Sequence, residues 1–195
     1  MKEPTPRQKE IVNVAIRLIA GKGMPYLTIK HIAEEIGISE PAIYRHFDSK
    51  HDILMAVLGH FETVSLRIRD QLQRQNGNGL EQIRRFMFDR YALFSDNPDL
   101  AKVLFAEEMF MNDEQLAKKI LGIMHQHRDL LFNAIQKGQK EKEIRSDIDA
   151  DHLFHFIVGS MRLLVNRWSF SGFAFDLKHE GSTLWQAVEI MIKPD

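Results

Sequence analysis

No stretch of this chain sustains the apolar–polar alternation of a strand, whereas apolar residues recur three and four apart through most of its length. Glycine and proline cut that pattern into helical lengths, so the 195 residues read as all-α, with about nine helices. The first runs from about Pro6 to Ala20, with Ile11, Ala15, Leu18 and Ile19 on one face, and ends at Gly21-Lys22-Gly23. Ile29, Ile32, Ala33 and Ile36 then mark a short second helix that Gly37 stops. Ser39 is placed to cap a third, with Pro41 in its first turn, where a missing N–H costs little. Two short helices joined by a glycine turn form the helix-turn-helix pattern, whose second helix can enter a major groove. Tyr44, Arg45 and His46 face outward on that helix and Lys50 follows it, all able to meet phosphates or base edges.

The segment IGISEPAIYRHFDSKHDIL, preceded by Gly21-Lys22-Gly23 and by Tyr26, Leu27 and Thr28, resembles the recognition helix and following segment of the TetR family of bacterial transcriptional regulators. The motif match covers roughly residues 7 to 60; the remaining chain matches in length and helical character only. The resemblance implies phosphate contacts at Thr28, Tyr44, His46 and Lys50, and places Ser39, Glu40, Pro41, Ala42 and Arg45 at or beside base edges. It further implies a homodimer on a palindromic operator, most often as a repressor, and a helical body that binds a small molecule and moves helix four.

Asp48 and Ser49 open that fourth helix, with Ser49 and Asp52 spaced as a capping box, and its stripe of Leu54, Val57, Leu58, Phe61, Ser65, Ile68 and Leu72 runs to about Gln75. Asn76-Gly77-Asn78-Gly79 makes a turn, since each glycine costs a helix about 1 kcal/mol against alanine. Helix five is expected over Leu80–Ser95, a sixth over Asp99–Phe110, and a seventh capped by Asn112 and reaching Lys140. Asp149 is expected to cap the eighth. The ninth is secure over Ser182–Ile192, with a start as early as Asp176 open. The simplest division is a DNA-binding domain over residues 1–47 and a helical effector-binding and dimerisation domain over 48–195, linked by helix four.

Two further sets follow from the apolar patterns. Phe61, Phe86, Tyr91, Phe94, Phe105, Met109, Phe110, Met124 and Trp168, with His127 among them, are candidates to line a pocket for an apolar or aromatic effector. Helix eight is apolar on two sides, as is the last, which suits burial against a second copy; Phe154, Ile157, Val158, Met161, Val165, Trp185, Val188 and Ile192 are the candidate interface.

Other chemistries find little support. There is no glycine-rich phosphate loop, no GxSxG and no HExxH, and the absence of cysteine removes thiol catalysis and zinc–thiolate sites. Glu107 and Glu108 are adjacent on a helix and point about 100° apart, so the pair reads as surface charge and the chain as a non-enzyme. His125 and His127, and Asp151 with His152 and His155, are the nearest approach to a metal site. His127 sits on an apolar stripe between Met124 and Leu131, so it reads as a core or pocket histidine that needs a hydrogen-bond partner inside; no metal or cofactor is expected.

The polar start MKEPTPRQKE and the lack of any run near 18 apolar residues lead to the expectation of a soluble cytoplasmic protein. Net charge is −1, but residues 1–50 carry eight Lys/Arg against six Asp/Glu, leaving the remainder at −3, the polarity expected if the N-terminal end approaches phosphates. A rival reading keeps the fold and the DNA but has the body answer a protein partner or spacing along DNA, with no small molecule.

Overall fold

The structure, a computed structural model, describes residues 3–74 and 77–194. Among these residues there are nine α-helices and no strand: α1 Pro6–Lys22, α2 Ile29–Ile36, α3 Glu40–Tyr44, α4 Lys50–Arg74, α5 Gly79–Asp96, α6 Pro98–Leu104, α7 Glu114–Lys140, α8 Ala150–Phe170 and α9 Leu177–Ile192. Gln75 and Asn76, the expected end of helix four and first residue of the turn, lie outside the described residues, as do the side chains of Leu72 and Glu107. No described helix is long and apolar enough to cross a membrane.

The chain forms two compact units, Met1–Val64 with Lys102–Gly122 and Ser65–Ala101 with Ile123–Asp195, so α4 and α7 each contribute to both. In the first unit, α1 starts at Thr5, which shares a reciprocal capping box with Gln8, and buries Ile11, Val14, Ala15, Ile16 and Ile19 among others. Leu27, Ile32 and Ile43 are fully buried. Each such side chain contributes about 1.5–3 kcal/mol relative to exposure, enough to set the short helices α2 and α3 against a common core.

In the second unit, α5 packs along both α7 and α9, and glycine makes each approach possible. A Cβ on Gly79 would overlap the Ala134 carbonyl and the Gly138 amide nitrogen in α7, and one on Gly181 would overlap the ring of Tyr91. The Gly77 carbonyl accepts from Lys137 Nζ at 2.7 Å, fixing the same junction of α5 and α7. Asp149 and Asp176 cap α8 and α9 through their carboxylates.

Three expectations need correction. The sixth helix ends at Leu104; Ala106 leaves the helical basin at φ −98, ψ 44, and the chain resumes as a 3-10 turn over Glu107–Phe110. No glycine or proline marks that break, so apolar spacing alone ran through it. The cap of α7 is Asp113 and not Asn112: its Oδ1 accepts from the Gln115 and Leu116 N–H groups at 3.0 Å each. The same oxygen lies 3.4 Å from His51 Nε2 in the first turn of α4, and those contacts hold the Asp113 carboxyl below the usual range, the Leu116 N–H being the largest cause. Finally, Asp52 N–H donates to Ser49 Oγ at 3.1 Å, but the Asp52 carboxylate takes the Ser49 hydroxyl at 2.8 Å in place of the backbone N–H of a full capping box.

Candidate nucleic-acid interface

The head is built from backbone requirements at a few positions. Gly23 ends α1 with φ +83, and the Met24–Tyr26 turn brings the chain back to Thr28. Thr28 caps α2, its Oγ1 accepting from His31 N–H at 3.1 Å. The His31 ring stacks on Tyr26 at 3.9 Å between centroids and donates from Nδ1 to the Tyr26 carbonyl at 2.7 Å, which rigidifies the entry to α2. Gly37 then takes the left-handed conformation, φ +78 and ψ 35, and its N–H and that of Ile38 satisfy the Ala33 carbonyl. Any side chain here would strain the turn that sets the angle between α2 and α3.

Ser39 occupies the N-cap of α3 in extended geometry, yet its side chain makes no capping hydrogen bond. The sequence led us to expect that bond; its absence leaves the exposed hydroxyl open to an external partner. The helix is only Glu40–Tyr44, with Arg45 at its C-cap and His46 beyond it, so the three outward residues span the end of the helix and not its middle. Ile43 and Phe47 are buried beneath them, and Gln8 Nε2 donates to the His46 carbonyl at 3.3 Å, tying that end to α1.

Ser39, Glu40, Pro41, Tyr44 and Arg45 are exposed, Tyr44 at 49%, while Thr28, Ala42, His46 and Lys50 are half-buried. Lys50 Nζ reaches the Met24 carbonyl at 3.4 Å. Among the described residues Arg45 enters no ion pair, so its guanidinium is available. The nine sequence candidates thus occupy α3 with the residues that flank it and the first turns of α2 and α4, within one compact unit.

The other candidate sets are distributed differently. Phe61, Phe105, Met109 and Phe110 belong to the first unit, with Phe61 and Phe110 buried, Phe105 half-buried and Met109 exposed. Phe86, Tyr91, Phe94 and Trp168 are buried in the second unit, where Met124 is exposed. Trp168 is engaged at the end of α8, donating from Nε1 to the Phe175 carbonyl at 2.9 Å. The structure brings Phe86 and His127 edge to face at 6.0 Å and supplies the partner that His127 needs: Arg90, whose Nη2 lies 2.7 Å from His127 Nε2. Arg90 was missed because charged residues read as surface, although its spacing from Ile83, Phe86 and Phe94 places it on the buried stripe of α5.

Of the candidate partner-facing residues, Ile157, Met161, Val165, Trp185, Val188 and Ile192 are buried within the chain itself, and Phe154 and Val158 are half-buried. The apolar side chains that α8 and α9 do expose are Phe156, Leu163, Phe170, Ile190 and Met191. His152 and His155 are held by their own helix, His152 Nδ1 on the Asp149 carboxylate at 2.5 Å and His155 Nδ1 donating to the Asp151 carbonyl at 2.7 Å.

Comparison with known proteins accounts for both ends of the chain. Residues 11–57 match the model for bacterial regulatory proteins of the tetR family, and residues 43–190 match that for the YsiA-like protein C-terminal region. The chain belongs to the TetR family. Like other members of the TetR family, it is an all-helical DNA-binding transcriptional regulator with an N-terminal helix-turn-helix. Its TetR-family relatives include the fatty acid metabolism regulator protein of Bacillus subtilis, 22% identical over 177 residues covering 91% of each chain. The nucleoid occlusion factor SlmA of Vibrio campbellii is 24% identical over 191 residues, 97% of each. Among solved structures, the regulator FadR from Bacillus subtilis in complex with stearoyl-CoA superimposes with a TM-score of 0.78 at 19% identity, covering 92% of this chain and 96% of that one.

Proposed function

We propose that this TetR-family chain is a repressor that binds a palindromic operator as a homodimer through residues 1–47 and is released when an effector binds within 48–195. The observation that carries the DNA part is the exposed row Ser39, Glu40, Tyr44 and Arg45 on and beside α3, backed by buried Ile43 and Phe47. Arg45 is assigned to a base edge, with a guanine O6/N7 pair as the best geometric match. Thr28, Tyr44, His46 and Lys50 are assigned to phosphates, which fix register without reading sequence. Selection from a random DNA pool gives the operator. Arg45→Ala is then expected to weaken binding by about 1–3 kcal/mol and to relax preference at one position in each half-site; unchanged affinity and preference would remove Arg45 from the reading surface.

Two heads read successive major grooves only when their recognition helices stand roughly 34–36 Å apart, which requires a fixed dimer. We assign the partner-facing surface to what α8 and α9 leave exposed. Phe156, Leu163 and Phe170 recur every seven residues along α8, the repeat of a helix-on-helix seam, and are 38%, 71% and 87% exposed. Leu163→Asp adds a charge outside the core of the single chain. It is expected to yield folded monomers in sedimentation velocity and to lose operator binding at concentrations that saturate the parent; a dimer of undiminished affinity would move the seam elsewhere.

For the effector we propose an apolar molecule with an acyl group. The fatty acid metabolism regulator and the stearoyl-CoA complex among the relatives support it, as do the buried aromatic residues of the second unit. The second reading, control by a partner or by spacing along DNA, is kept beside it because the relatives also include a nucleoid occlusion factor, whose name specifies no small molecule. Operator release by an acyl compound in a purified mixture of protein and DNA supports the first; DNA binding indifferent to all such compounds supports the second.

A further inference from the structure

The second unit buries a cation that no ion pair among the described residues holds: Arg90 on α5, which is 3% exposed. Its contacts are all to neutral groups. Nη1 donates to Ser65 Oγ at 3.4 Å, Nη2 donates to His127 Nε2 at 2.7 Å, and the guanidinium lies 5.0 Å from the centre of the Phe86 ring. Because Nε2 accepts, the neutral imidazole carries its proton on Nδ1. The nearest acid in sequence, Asp89, about 100° away around the helix, makes no ion pair with Arg90 and acts on it only through its charge at longer range.

Arg90 Nε–H, moreover, is buried with no acceptor at all. The shortage recurs along the same helix, where Tyr91 Oη and Ser95 Oγ are also buried without a partner. What these groups lack is a hydrogen-bond partner, which for the Arg90 N–H means an acceptor. As an internal strut Arg90 is a poor choice: a buried charge held by neutral partners carries a desolvation cost that methionine, of similar volume, avoids. A fork of N–H donors facing neutral groups is suited to an incoming oxygen, and the surrounding side chains of α5, Ile83, Phe86, Met87 and Phe94, are apolar.

We propose that Arg90, oriented by Ser65 and His127, is the polar anchor of an internal effector site and binds the acyl oxygen of a fatty acid or a fatty acyl thioester. This rests on the effector-controlled reading above and specifies its ligand. The carboxylate of the acid and the carbonyl of the thioester share the chemistry, and an apolar chain attached to either satisfies the remaining walls. His127 acts here as a positioning residue: it holds one arm of the guanidinium and leaves Nε free for the ligand.

The test titrates the full-length chain with decanoate, decanoyl-CoA and coenzyme A alone, following Trp fluorescence and heat, and repeats it with Arg90→Met. The parent is expected to bind at least one acyl probe and not coenzyme A alone, and the tighter of decanoate and decanoyl-CoA identifies the source of the oxygen. Arg90→Met is expected to bind that probe at least about 10-fold more weakly while melting no lower than the parent, because removing an uncompensated buried charge is neutral or stabilising. Equal affinity in Arg90→Met, binding of coenzyme A alone, or no binding of either acyl probe by the parent overturns the proposal. Should Arg90→Met fail to fold, the internal-strut role is favoured. Ser65→Ala then decides: a several-fold loss of affinity for the probe restores the anchor and an unchanged affinity overturns it. Operator release separates the two readings. Probes that release DNA from parent and Arg90→Met alike keep the effector reading and overturn the anchor, whereas binding that depends on Arg90 but leaves DNA bound keeps the anchor and overturns the release.

Discussion

Gly79→Ala is expected to lower the stability of the chain by about 3 kcal/mol, visible as a fall of roughly 6–12 °C in the unfolding midpoint for a protein of this size. The added methyl would collide with the backbone of α7: the Ala134 carbonyl oxygen, the Gly138 amide nitrogen and, at 2.7 Å, the Gly138 Cα. Backbone of a helix cannot rotate aside as the end of a lysine can. On the other side of Gly138 the buried side chain of Ile144 closes in, at 2.5 Å from where a Cβ on that glycine would stand, so α7 has no room to retreat. The helix must therefore separate from α5, and the Lys137 contact to the Gly77 carbonyl goes with it. Gly59 provides the control of opposite sign. It lies inside α4 with nothing within 4 Å of its Cβ position, so Gly59→Ala should stabilise by about 0.4–1 kcal/mol through lost freedom of the unfolded chain. Equal midpoints for the two variants would show that α5 and α7 can accommodate a methyl group at position 79.

Stability is also expected to decline as pH falls through the window from about 6.5 to about 3. Burial, and after it the charge of Arg90, lowers the pKa of His127 from 6.5 to about 3. Below pH 6.5 the unfolded chain takes up a proton at this residue that the folded chain refuses, so the unfolded state gains by up to about 1.4 kcal/mol per pH unit until the folded histidine itself titrates. By pH 4.5 the loss attributable to His127 is roughly 2–3 kcal/mol by that slope. Urea unfolding at pH 7 and pH 4.5 measures it, with His127→Gln as the reference, because glutamine accepts from Arg90 through Oε1 and does not titrate. Asp113, Asp147 and Asp149 have lowered pKa values too, each chiefly from a hydrogen bond, and their stabilisation is lost below the ordinary carboxylate value of 3.8. A common dependence in parent and variant between pH 6.5 and 4.5 would show that the imidazole is reached by water.

The sequence carried the helical pattern because burial imposes it residue by residue: Ile11, Ala15, Leu18 and Ile19 in α1, or Leu153, Ile157, Leu164 and Trp168 in α8, are buried at the positions their spacing assigns. Caps with a carboxylate, such as Asp149, were legible for the same local reason. What escaped depends on one residue's backbone or on the far side of a helix. Ala106 breaks a helix without any residue type to announce it, and Asp113 displaces Asn112 as the cap by a single step. In α8 the period identifies two apolar faces but not which one the chain itself covers; Ile157, Met161 and Val165 are covered, and Phe156 and Leu163 are left out. The helix-turn-helix was legible as a motif, while Arg90 required the neighbours on α4 and α7 to reveal that its charge is enclosed.

Asp113 works as a latch with unequal halves. Two backbone N–H groups of α7 and the imidazole of His51 in α4 converge on one oxygen. The backbone pair belongs to the helix and stays when the imidazole leaves. The imidazole contact is a partly exposed one of the kind worth about 0–1 kcal/mol, so little free energy separates its made and broken forms. When it opens, α7 keeps its cap and α4 keeps the Ser49–Asp52 bond, yet the turn that carries Lys50 is no longer tethered to α7 through His51. The two helices are not released by that loss alone, because the less exposed ion pair of Lys119 in α7 with Glu62 in α4 still joins them further along.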